Sequence, residues 1–174
     1  MSKAAKRRSK VKMLVAMAFC SLLIPKGVPA VTAAPTDRHF YLPNERDSKT
    51  VTVTREGNTE AEVIVLTQAV AIKETGPRET IDVYGEVYSF SPSFIAVHRD
   101  QPTLLTFWNL QPDDDHDFAL LDSDWNVIMY VDLPPLKKTS YLFTFHKEGL
   151  FDFKCMQHSP AMSGQILVLG PPEK

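Results

Sequence analysis

The chain has 174 residues, 44% of them apolar and 23% charged, with a formal net charge of −2 and no internal repeat or low-complexity tract. The charge is unevenly spread: seven bases and no acids fall in residues 1–34, so the remainder has 12 Lys and Arg against 21 Asp and Glu, a net charge of −9. An acidic body of that kind argues against nucleic-acid binding and favours cationic partners.

The first twelve residues are basic, Met13 to Ile24 is an apolar run, and small residues follow at Val31-Thr32-Ala33-Ala34. Basic region, short apolar region and A-x-A-like site together predict a secretory signal peptide over residues 1–34, cleaved after Ala33 or Ala34, with Ala30 as an alternative. The apolar run is shorter than the roughly 20 residues a membrane span needs. The expected compartment is therefore the periplasm, and no membrane span is expected in the mature chain. About 140 residues would remain, enough for one domain with a full core. Cleavage removes Cys20 and leaves Cys155 as the lone cysteine. A lone thiol in an oxidising compartment has no internal disulfide partner and is exposed to oxidation unless a metal occupies it.

Residues 35–49 read as a polar arm in which His39 is solvated. Residues 50–54 alternate and are β-branched, and residues 62–72 form a longer apolar run, so residues 35–79 read as an N-terminal extension with one or two strands. Gly76-Pro77 breaks that run. From residue 80 the pattern is regular. Residues 80–84, 87–90, 94–98, 103–109, 118–121, 126–131, 140–146, 150–154 and 165–169 are short and strand-like, and turn residues such as Ser91-Pro92, Gln111-Pro112 and Glu148-Gly149 separate them. Many short strands without a convincing amphipathic helix predict an all-β sandwich or barrel over residues 80–174.

The chemistry concentrates between the last two predicted strands, in Cys155-x2-His158-x3-Met162. A thiolate, an imidazole and a thioether in one loop are ligands of graded softness that suit copper in both of its oxidation states. A trigonal His₂Cys site with a weak axial Met needs one more imidazole, and His116 is the best candidate. His146 is its rival, although the alternation places it on the opposite strand face from Phe143 and Phe145. His98 and His146 otherwise read as solvated hairpin residues, and Met129 as core.

Strand pair, upstream His, Gly-containing turn, Cys/His/Met loop and final strand follow one another over residues 80–169. In that order they resemble the cupredoxins, the type 1 or blue-copper proteins. The spacing between His158 and Met162 differs by one residue from that of the best-known members. The resemblance implies a Greek-key β-sandwich and a single copper ion, Cu(I)/Cu(II), held by His116, Cys155, His158 and Met162. It implies a one-electron carrier rather than an enzyme, with a c-type cytochrome or a terminal oxidase as redox partner. His158 would then sit nearest the surface, ringed by Met156, Pro160 and Ala161. In many cupredoxins an Asn follows the first His, where this chain has Asp117. That carboxylate reads either as an orienting anion or as a solvated side chain. Asp113, Asp114, Asp115 and Asp117 together read either as an acidic docking patch or as a solvated loop.

Other copper and hydrolase chemistries fit poorly. Cys155 is flanked by Lys154 and Met156, not by the His that multicopper oxidases and copper nitrite reductases place beside it. A binuclear site would need a second Cys four residues away, where Phe151 and Ser159 stand. Zinc wants four good N, S or O ligands, and Met is a poor one. Two alternatives stay open: a copper accessory protein for delivery, storage or oxidase assembly, and a metal-free domain of a respiratory complex.

Overall fold

Residues alternating between apolar and polar side chains build this molecule almost entirely from β-strands. The computed structural model describes residues 40–55 and 57–171; the predicted signal peptide and His39 lie outside them. In chain order the elements are β1 (Phe40–Tyr41), a short 3-10 turn (Asp47–Lys49), β2 (Val51–Thr54), β3 (Ala61–Ala71), α1 (Arg78–Tyr84), β4 (Val87–Ser91) and β5 (Phe94–His98). Then follow β6 (Thr103–Asn109), β7 (His116–Leu121), β8 (Val127–Leu133), β9 (Lys138–Phe145), β10 (Gly149–Lys154) and β11 (Ser163–Leu169). No helix among the described residues is long and apolar enough to cross a membrane.

Two sheets result, ordered β1-β8-β7-β10-β11-β5 and β2-β9-β6-β3-β4. β3 with β6 and β5 with β11 run parallel, and the other pairs antiparallel. The chain crosses between sheets: β7 and β8 form a hairpin, β9 lies in the other sheet, and β10 returns beside β7. That return is the Greek-key step of β-sandwiches. Period-two burial explains why the sheets face each other. Val51 and Val53, Leu105 and Phe107, Phe118 and Leu120, Phe143 and Phe145, and Phe151 and Phe153 all point into one core. Phe118 lies at its centre, with ring centroids 4.5 Å from Phe107 and 5.3 Å from Phe153.

One expectation needs correction. Residues 80–84 are not a strand but belong to α1. The bracketing residues decide this. Pro77 precedes the first turn, and Gly85 ends the last at φ +75°, its N–H donating to Ile81 O at 2.9 Å. Pro at the start and Gly past the end favour a helix. The alternation of Ile81 and Val83 had no sheet to join: α1 buries none of its residues. β3 sits between β6 and β4, so residues 61–71 are sheet interior, in the same compact unit as the strands that follow.

This topology brings together one end of three neighbouring strands. His116 opens β7, Cys155 follows the last residue of β10, and Met162 precedes the first residue of β11. Because β7, β10 and β11 are adjacent and antiparallel, these three positions share one edge of the sandwich.

Candidate metal centre

Residues 155–162 form a loop closed at its base. Lys154 pairs with Ser163, the Cys155 N–H donates to Met162 O at 2.9 Å, and the Met162 N–H donates to His158 O at 3.0 Å. The loop therefore has no slack to spread its donors. His116 reaches it from β7. Its Nδ1 lies 3.1 Å from His158 Nδ1, and Cys155 Sγ lies 3.5 Å from the same His158 nitrogen. The three donor atoms all fall within 4.8 Å of one another. Met162 is fully buried and lies near His116. Four sequence-predicted residues thus converge. His146 and His98 do not: His146 bonds Thr52 and Asp100, each at 2.9 Å, and His98 bonds Gly170 O.

The electrostatics suit a ligand cluster awaiting a cation. His116 is completely buried, and burial first, then the neighbouring His158, lowers its pKa to about 4. Its ring is therefore neutral at neutral pH, the form that donates to a metal. Two such nitrogens 3.1 Å apart must share a proton or a cation, since their lone pairs otherwise repel. His116 Nε2 is buried without a hydrogen-bond partner among the described residues. The Cys155 thiol is pushed up to about 11, mainly by burial and then by the Asp117 charge. In the metal-free protein it stays protonated and donates to Asp117 Oδ2 at 3.5 Å. A metal must displace that proton.

Three residues support the cluster; the sequence left the role of one open and did not mark the other two. Asp117, which the sequence leaves as either an orienting anion or a solvated side chain, is fully buried; its Oδ1 accepts the Met156 N–H at 2.7 Å, which ties the loop to β7. Burial pushes its carboxyl up, partly offset by that N–H. Adjacency to His116 was the one signal for it. Tyr88 packs against both imidazoles, with centroids 4.9 Å from His116 and 4.6 Å from His158, and donates its hydroxyl to Asp114 at 2.6 Å. Asp114 is thereby tied down, while Asp113 and Asp115 are exposed. Asn109 holds the segment leading to His116: its Nδ2 donates to Asp114 O and Leu133 O, both at 2.8 Å, and Thr67 donates to its Oδ1 at 2.7 Å. No sequence pattern marked Tyr88 or Asn109, because each works through contacts across the fold.

Two of the three donor separations pass a simple fit test. With metal–nitrogen and metal–sulfur bonds of about 2.0 and 2.3 Å, as in zinc sites, nitrogens of one ion can be no more than about 4 Å apart. The observed 3.1 and 3.5 Å separations satisfy that bound. The fully buried thioether makes the set poor for zinc and good for copper.

No family model and no curated protein matches the sequence. Solved structures do resemble it. Auracyanin A, a "blue" copper protein of Chloroflexus aurantiacus, is 14% identical over 63% of this chain and 98% of its own, with a TM-score of 0.44. Amicyanin of Paracoccus versutus is 16% identical over 69% of this chain and 98% of its own, at 0.45. A multicopper oxidase of Campylobacter jejuni is 10% identical over 65% of this chain but only 31% of its own, at 0.49. The likeness is one of strand arrangement at low identity, and the chemistry of the site stands on its own atoms.

Proposed function

We propose that this protein holds one copper ion through His116, Cys155, His158 and Met162 and serves as a one-electron carrier between redox partners outside the cytoplasm. The observation that carries the reading is the convergence of two imidazoles and the lone described cysteine within 4.8 Å, beside a buried methionine. Bound copper would supply a one-electron couple. The chain's own part is to hold the donors still. Strand ends fix His116 and Cys155, and the hydrogen-bonded loop fixes His158 and Met162. A ligand cage that moves little between oxidation states keeps the reorganisation cost of electron transfer low. Tyr88 and the core exclude water from one side of the imidazoles. His158 is only half-buried, with exposed Met156, Pro160 and Ala161 around it. It is thus the ligand through which a partner would reach the centre. The acidic balance of residues 35–174 favours a cationic partner, such as a basic c-type cytochrome.

The test is direct. The mature protein loaded with Cu(II) is expected to show an intense sulfur-to-copper charge-transfer band in the visible, lost in Cys155→Ser, together with reversible one-electron voltammetry. Absence of the band rejects the reading. Rapid surrender of Cu(I) to an acceptor, without reversible cycling, would instead favour an accessory protein that delivers copper.

A further inference from the structure

We propose that the buried carboxylate of Asp117 biases this centre toward the divalent state of its metal, beyond its part in holding the loop. The inference rests on the copper reading above. Its Oδ1 accepts the Met156 N–H at 2.7 Å and its Oδ2 lies 3.5 Å from Cys155 Sγ, and Gln157 and the Tyr130 hydroxyl also hydrogen-bond the carboxylate. No Lys or Arg among the described residues is ion-paired with it, and it is wholly shielded from water.

Charge counting gives the direction. The imidazoles of His116 and His158 and the thioether of Met162 enter as neutral groups. The Cys155 thiolate and the Asp117 carboxylate each contribute one negative charge. A divalent ion neutralises that pair of charges, whereas a monovalent ion leaves one buried negative charge without a counter-charge, and such charges are disfavoured. One-electron reduction of Cu(II) to Cu(I) by an external one-electron donor therefore works against the Asp117 charge. An uncharged amide in its place would lift that opposition and turn an N–H toward the sulfur. The carboxylate thus acts as a positioning residue that also discriminates between oxidation states. It needs no bond to the metal to do so, since Coulomb interactions in a protein interior reach across several ångströms.

Asp117→Asn separates the two tasks, because its side-chain carbonyl can still accept the Met156 N–H. The copper-loaded variant is expected to keep its charge-transfer band. Competition with chelators should show the ratio of Cu(I) to Cu(II) affinity rising at least tenfold, which corresponds to a midpoint potential about 59 mV higher for a one-electron couple. The metal-free variant should melt no lower than the parent. Asp117→Ser, smaller but still an acceptor, is expected to shift the ratio the same way if the amide variant folds poorly. An unchanged ratio in a variant that retains its band overturns the inference and leaves the copper reading standing. Failure of the parent protein to take up copper at all overturns both.

Discussion

His116 lies at the point where protein stability and ligand chemistry meet. Its folded pKa of about 4 is below the unfolded value of about 6.5, so the unfolded chain binds more protons between those limits. Its contribution to stability is therefore complete above pH 6.5 and is lost as pH falls through 4. Asp117 acts with the opposite sign: its carboxyl is raised, so its contribution is complete below its unfolded value near 3.8 and is lost as pH rises through the folded one. The metal-free protein is expected to lose up to about 3 kcal/mol between pH 7 and pH 4.5, less what Asp117 returns. Urea midpoints across that range measure it, and His116→Gln should flatten the dependence. A flat profile in the parent would mean that the ring is not held neutral by burial. The four candidate ligands were legible, because Cys155, His158 and Met162 sit in one short loop and His116 opens a strand. Their supports were not. Tyr88 stands 28 positions before His116 and Asn109 reads as an ordinary strand end; only the packed sheets bring them to the imidazoles.

At the scale of elements, alternation located nearly every strand, and it failed where no neighbour was waiting. Ile81 and Val83 carry a strand pattern, but no sheet edge receives them, so the local bracket of Pro77 and Gly85 prevails. β3 shows the converse. It lies in the stretch that reads as an extension, and its registers with both β4 and β6 make it interior, a fact set by partners more than 30 residues away along the chain in the case of β6. One tight joint lies beside the loop of residues 155–162. Gly164 pairs with Phe153 across β10 and β11, and a Cβ there would overlap both the Phe153 ring and the Ser93 carbonyl oxygen. The carbonyl is backbone and cannot swing aside. Gly164→Ala is therefore expected to cost about 1–3 kcal/mol, the usual range for overpacking a filled site. Chemical denaturation measures this loss. Retention of full stability would show that β5 and β11 can separate without cost, and that the loop base is looser than its hydrogen bonds imply.

For the molecule as a whole, charge and access act together. Residues 35–174 have nine more acids than bases, and the half-buried candidate ligand, His158, shares its end of the sandwich with exposed Asp113 and Asp115, which belong to the loop entering β7. A partner approaching that end meets a negative field whose reach depends on salt, from about 30 Å at 0.01 M to about 10 Å at 0.1 M ionic strength. Oppositely charged reactants are drawn in and like-charged ones repelled, and screening removes both effects. Reduction of the copper form by a small cationic one-electron reagent should therefore slow severalfold as salt rises across that range. Reduction by an anionic reagent of similar potential should quicken. Stopped-flow rates at fixed pH test the pair. The Asp113→Asn, Asp115→Asn double variant should weaken both salt dependences, because its changes lie at the end where His158 is reached. If the two reagents respond to salt alike, electrons enter elsewhere, and the exposed apolar rim at Met156 and Pro160 is not the port.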